Sequence, residues 1–178
     1  MENRPDNVLV EQAARGDGDS FTELCHRYYG PMVAIGHAIL GDRHLAEDAV
    51  QEAFAKAAVH LPRLRKPEQF GSWLATICRN EARSLARTRR VSCGHGESPV
   101  QETPASADET SEAVKAALNQ LPAEAREVIF LRFYDGLSYD RISAVLGISE
   151  QAINGRLRRA KRKLAEHLRR CGFDEVDL

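Results

Sequence analysis

The sequence predicts an all-α protein: two small helical domains joined by a flexible linker, the second containing a helix-turn-helix. Three observations lead there. Ala, Leu, Arg and Glu dominate the 178 residues, and such side chains lose little rotamer freedom in a helix. Apolar residues recur at helical spacing, and no stretch alternates as a strand would. Between two periodic blocks lies SCGHGESPVQETPASADETS, Ser92 to Ser111, rich in Ser, Thr, Pro, Gly and acids. With almost no large apolar side chain it cannot bury enough surface to offset its ordering entropy. The expected organisation is a first domain over 1–91, a linker over 92–111 and a second domain over 112–178.

The first block reads as four helices. Asp6 is placed to cap the first and Gly16 to end it. Asp19 or Ser20 starts the second, which carries Phe21, Leu24, Tyr28, Met32, Ile35 and Ile39, with Gly30-Pro31 as a point of kinking or splitting. Gly41-Asp42 ends that helix and caps the next. The third carries Leu45, Ala49, Val50, Ala53, Phe54, Ala57 and Leu61 on one face and Asp48, Gln51 and Glu52 on the other. Pro62 stops it. Arg63-Leu64-Arg65-Lys66-Pro67 is a basic loop. A fourth helix has Phe70, Trp73, Leu74, Ile77, Cys78 and Leu85 on one stripe and Asn80, Arg83 and Arg87 on its other side.

The second block opens with a helix near Glu112 to Gln120. Pro122 suits the first turn of the next helix, which Asp135-Gly136 closes. Ser138 caps a short helix through Leu146. Gly147 makes a turn, and Ser149 caps a long helix to about Leu168.

Charge is unevenly spread. The net formal charge is only -1. Yet Arg79 to Arg90 holds five arginines against one acid, and Arg156 to Lys163 holds six basic residues in eight. The stretch between is acidic. Local basic clusters can bind phosphates while the chain as a whole stays near neutral.

The segment from Ser138 to Ser149 is a capped helix, a glycine turn and a second cap. Ile142, Val145, Leu146, Ile148, Ile153 and Leu157 supply a small core that fixes two helices at a steep angle, as in a helix-turn-helix. Glu150, Gln151, Asn154 and Arg158 then project from the start of the second helix, where side chains can reach base edges in a major groove. Arg156, Arg159, Lys161, Arg162 and Lys163 suit phosphates. Gly155, inside this helix, costs about 0.5–1 kcal/mol relative to Ala and leaves room for close approach to DNA. Trp73 beside the basic loop and the basic end of the fourth helix suits unpaired DNA, where bases stack and the backbone is neutralised; from pattern alone a core tryptophan is slightly the better account. The acidic face Asp48, Gln51 and Glu52 reads either as solvated or as a docking face for a basic partner.

The runs Ala46 to Phe54 (AEDAVQEAF) and Phe70 to Asn80 (FGSWLATICRN) resemble region two of extracytoplasmic-function sigma factors. Phe21 to Leu24 and Leu40 to Arg43 match the start of that region. Leu121 to Phe133, the helix-turn-helix and Arg156 to Leu164 look like their region four. Two motifs in the right order at the right distance make the resemblance specific. It implies a subunit that directs core RNA polymerase to promoters and assists melting. Asp48, Gln51 and Glu52 would dock on the clamp helices of the β′ subunit. Arg63, Arg65, Lys66, Asn80, Arg83 and Arg87 would handle the minus-ten element. The recognition helix with Ser149, Glu150, Gln151, Asn154, Arg156, Arg158, Arg159, Lys161 and Arg162 would read the minus-thirty-five element, and region four would also touch the β-flap. An anti-sigma protein is a candidate regulator, as for many family members. The chain departs from the usual pattern at Ser84, where an Asp is common, and at Ala58, where a Trp is common.

Other function classes fit less well. No P-loop pattern, HExxH or convincing triad is present, so an enzyme acting on nucleic acid lacks its catalytic groups. A helix-turn-helix activator leaves the first 90 residues unexplained, and a helical adaptor leaves the basic cluster unexplained. The four cysteines, Cys25, Cys78, Cys93 and Cys171, form no CxxC pair; reduced thiols without metal or cofactor are expected, with Cys93 beside His95 a weak candidate for redox sensing. No run of about 18 apolar residues and no signal-peptide pattern occurs, which points to the cytoplasm and against membrane insertion.

Overall fold

The computed structural model describes residues 4–92 and 109–173, and all its regular elements are helical. Helices α1 (Asp6–Ala14), α2 (Gly18–Leu40), α3 (Arg43–His60) and α4 (Phe70–Ser92) form the first half. Helices α5 (Glu109–Asn119), α6 (Ala123–Ile129), α7 (Tyr139–Leu146) and α8 (Glu150–Arg170) form the second. The bulk of the expected linker, with Cys93 and His95, lies outside the described residues. Its ends are helical: Ser92 closes α4, and Glu109 to Ser111 open α5.

Caps explain most boundaries. Asp42 accepts from the Leu45 backbone N–H, Ser138 from Arg141 and Ser149 from Ala152, each satisfying a donor that a helix start leaves open. Gly41 and Gly147 end their helices at φ 69° and 68°, a left-handed conformation that a side chain disfavours. Two expected caps fall elsewhere. Pro5, not Asp6, precedes α1, and Asp6 is its first residue. Asp17, not Asp19 or Ser20, caps α2. Pro122 likewise stands before α6 rather than in its first turn.

Helix α2 runs through Pro31 without a break. Pro31 and its neighbours Met32 to Ile35 are buried, and the helix packs against α1, α3, α4 and α6. Packing on all sides holds a segment whose local preference is to bend. After α6 the chain widens into a single π-helical stretch, Phe130–Tyr134.

The two halves share a core. One apolar cluster includes Leu9, Leu24, Tyr28, Met32, Phe70 and Leu74 from the first and Val128, Leu131, Ile142, Val145 and Leu157 from the second. Helix α4 packs on α7, and α2 on α6 and the π-helical stretch. The sequence treats the halves as separable domains; the structure closes them on each other.

Candidate nucleic-acid and polymerase interface

The candidate residues fall on three helical stripes. On α8, Ile153, Leu157, Ala160, Leu164 and Leu168 are buried. They anchor the helix on α5, α6 and α7. At 100° per residue, Gln151, Asn154, Gly155, Arg158 and Arg162 fall on the opposite side within an arc of about 100°. Gln151, Asn154, Arg158 and Arg162 are exposed. Gln151, Asn154, Gly155 and Arg158 together line a concavity of about 340 Å³. Glu150 and Arg159 are exposed on its flanks. Ser149 is occupied in capping the helix.

Two expected phosphate ligands sit differently. Arg156 is half-buried beside the packed face. Lys161 is half-buried too, with its ammonium 5.0 Å from the centre of the Phe133 ring, a cation–π contact. Arg162 lies 3.9 Å from Glu166, a loose exposed pair that leaves it available to a phosphate.

On α4, Asn80, Arg83 and Arg87 are exposed. By the same geometry Trp73 and Thr76 head their stripe. Trp73 is half-buried against the core, its ring 5.9 Å from that of Phe70. The Thr76 hydroxyl donates to the Ser72 carbonyl. Trp73 was weighed from sequence both as a DNA contact and as a core residue, whereas Thr76 was not singled out, although i, i+3 and i+7 spacing from Trp73 to Asn80 was the available signal. Arg63, Arg65 and Lys66 are exposed in the connection between α3 and α4, where two single turns, Leu61–Arg63 and Pro67–Gln69, tie the chain down.

On α3, Asp48, Gln51 and Glu52 are exposed while Ala46, Ala49, Val50, Ala53 and Ala57 are buried. Val59, 72% exposed, continues the Asp48–Glu52 stripe. An apolar side chain beyond two carboxylates is a surface with both charge and grip, and the acidic pattern alone did not reveal it.

Among the described residues no three His, Cys, Asp or Glu side chains are grouped to hold a metal, and no helix is long and apolar enough to cross a membrane. Cys25, Cys78 and Cys171 are free. Burial pushes the Cys78 thiol up to about 12 and that of Cys25 up as well, so neither is a ready thiolate.

Known proteins place these stripes in context. Residues 24–91 match the family description "Sigma-70 region 2", and residues 111–164 match "Sigma-70, region 4". The RNA polymerase sigma-H factor of Pseudomonas aeruginosa is 30% identical over 180 residues, covering 92% of this chain and 93% of that protein. The ECF RNA polymerase sigma-E factor of Escherichia coli is 30% identical over 179 residues, covering 90% and 92%. The chain spans 43% of a longer relative, the probable RNA polymerase sigma factor RfaY of Xanthomonas campestris. A solved structure of CnrH in complex with the cytosolic domain of CnrY matches with a TM-score of 0.64 and 30% identity, covering 92% of this chain and 96% of that one. A second, of RpoE with the anti-sigma factor NepR from Bartonella quintana, matches at 0.59 and 28%, covering 85% and 98%. With region 2 spanning α3 and α4, region 4 spanning the helix-turn-helix, and relatives aligned over nine-tenths of their length across both, the chain belongs to the extracytoplasmic-function family of RNA polymerase sigma factors, which confer promoter-specific initiation of transcription.

Proposed function

We propose that the three stripes divide the work of initiation. The α3 stripe with Asp48, Gln51 and Glu52 docks on the β′ clamp helices. The connection with Arg63, Arg65 and Lys66 and the α4 stripe with Asn80, Arg83 and Arg87 capture unstacked bases of the minus-ten element. The α8 stripe reads the minus-thirty-five element as duplex, through Gln151, Asn154 and Arg158 at base edges and Arg159 and Arg162 at phosphates. The single observation that carries this reading is the α8 surface: polar side chains line one concavity on a helix whose opposite face is wholly packed. That is the arrangement a recognition helix needs.

The energetics favour cooperation. A few basic contacts alone bind DNA weakly and with strong salt dependence. Docking both regions on one enzyme raises the effective concentration of each. Binding to unpaired bases pulls melting forward without a chemical step, so the chain acts as a cytoplasmic binding subunit and not as an enzyme. Relatives solved with partner proteins support an anti-sigma protein as a regulator of this chain too.

Gel filtration with sigma-free bacterial core polymerase tests the reading. Stoichiometric co-elution is expected, and Asp48→Arg with Glu52→Arg should abolish it. A folded chain that fails to co-elute with core from a close source would overturn the assignment of the α3 stripe.

A further inference from the structure

The concavity on α8 has a composition as well as a shape. Gln151, Asn154, Gly155 and Arg158 line it, and Gln151, Asn154 and Arg158 are exposed. Among the described residues none of these three side chains has a hydrogen-bond or ion-pair partner. Other arginines of the same half are engaged. Arg132 Nη1 donates to the Leu137 carbonyl at 2.8 Å, Arg141 Nη1 donates to Asp6 at 2.9 Å, and Arg162 lies 3.9 Å from Glu166. Two amides and a guanidinium left unpaired on one helix face offer a fixed set of donors and acceptors to whatever lies against them.

The three side chains come at intervals of three and four residues. Each therefore stands about 4.5–6 Å further along the helix than the last. Helices in the major groove meet successive base pairs at such spacing, as zinc-finger helices do. Base chemistry then separates the partners. A carboxamide presents one donor and one acceptor in one plane. Adenine presents the complement, an N6 donor beside the N7 acceptor, whereas guanine presents two acceptors and would set one against the amide oxygen. A guanidinium presents two parallel donors, the complement of guanine O6 and N7. Gly155 adds space. It lies about 100° round the helix from Asn154, on the other side of the stripe, and a Cβ there would meet only Arg159 Nη1, at 3.5 Å. An adenine at Asn154 puts the C5 methyl of its thymine on that side of the groove.

We propose that Gln151, Asn154 and Arg158 read three successive base pairs as adenine, adenine and guanine, in that order along one strand, and that Gly155 accommodates the thymine methyl opposite the middle adenine. The assignment rests on the reading of α8 as the minus-thirty-five recognition helix and adds which bases that helix selects. Arg162 takes no part in the selection. It lies a further turn from the helix start, beside Glu166, and serves a phosphate. Arg159, exposed on the flank next to Gly155, does the same. A wrong base at any of the three positions sets a donor against a donor, or an acceptor against an acceptor, where water has been excluded. Each position should therefore discriminate by about 5- to 150-fold. Because the three groups face three different pairs, the preferences are separable one position at a time.

Selection from a pool of duplexes randomised through the upstream promoter segment tests the assignment. One arm uses the full chain bound to sigma-free core polymerase, and a parallel arm at low salt uses the full chain alone. The wild type should enrich adenine-adenine-guanine on one strand. Asn154→Arg should change the middle base to guanine and leave its neighbours. Arg158→Gln should change the third base to adenine and leave the first two. Both substituted residues are exposed, so helix content by circular dichroism should be unchanged. A different wild-type triplet would overturn the assignment, as would a triplet that stays the same in folded Asn154→Arg and Arg158→Gln. So would an equal loss of affinity on all sequences in both variants, which is the mark of phosphate contacts. In each of those cases co-elution with core keeps the sigma reading in place. Failure to bind core in the first arm, with the expected triplet and shifts in the second, would overturn the sigma reading and leave the base assignment to a DNA-binding protein of another kind.

Discussion

Regions 2 and 4 both present a polar helical stripe, but they build it differently. Helix α8 is held by five buried apolar residues of its own, with a capped start and a glycine turn before it. Its recognition surface is specified within about thirty residues of sequence. The α4 stripe is not self-contained. Trp73 at its head packs on Phe70, Arg79 beside it is committed to Glu127, and its N-terminal turn lies under Gly147. The α8 stripe is anchored by helices of its own half, whereas the α4 stripe is set by contacts from both halves.

Breaking the anchors should separate the two cases most strongly. Leu157→Ala removes a core side chain of α8 that is 3% exposed and should destabilise region 4 by about 2–5 kcal/mol, seen as a lower midpoint in denaturant. Arg83→Ala with Arg87→Ala removes only exposed side chains. Stability should change by less than about 0.5 kcal/mol, while activity on duplex promoters is lost and partly recovered on a template melted in advance at the minus-ten element.

Next in size is base readout. Arg158→Ala should weaken binding of the polymerase complex to its minus-thirty-five sequence by about 1–3 kcal/mol and relax the preference at one position, whereas Arg162→Ala should weaken all sequences alike and lower the salt slope by about one. Competition binding at several salt concentrations distinguishes the two.

Gly155 sharpens the contrast further. Its φ is ordinary, and an added Cβ would meet only the flexible end of Arg159, at 3.5 Å. Gly155→Ala should therefore stabilise α8 by about 0.5–1 kcal/mol and, if the backbone lies against DNA there, weaken promoter binding. A thermal midpoint that rises while promoter affinity falls is the expected pair. A rise in both would assign the glycine no part in recognition.

The smallest effect is one of pH. Burial first, then the nearby charge of Arg43, lowers the His37 pKa, so the fold prefers the neutral ring. Its contribution is complete above the unfolded value near 6.5 and is lost as pH falls below it. Stability should decline between pH 7.5 and 5.5, and His37→Phe, which keeps a ring against Phe130, should flatten that dependence.

What sequence could show follows from distance along the chain. The caps at Asp42, Ser138 and Ser149 and the turns at Gly41 and Gly147 were legible because their partners lie three or four residues away. So was the exposed face of α8. Asp6 looked like a cap for the same local reason, but its carboxylate serves Tyr28, Arg27 and Arg141 instead. Pro31 predicted a kink or a split, and α2 continues through it as one helix. Glu127, between Arg126 and Val128, gave no sign of its partner, 48 residues earlier. Lys161 and Arg156 read as free charges in the sequence because the Phe133 ring and the packed flank of α8 that engage them are set by the fold. The roles of α3 and α4 came from family resemblance, since an acidic face or a basic helix end has many local explanations.

The bond between Asp6 and Arg141 spans 135 residues of chain. Helix pairs such as α2–α3 and α7–α8 join neighbours and can form early, while this contact must await loop closure over most of the sequence. Refolding should show a fast phase in which each half acquires its helices, and a slower one in which they meet. During synthesis region 2 leaves the ribosome before Arg141 has been made, so for that interval Asp6 and Tyr28 lack their partner from the C-terminal half.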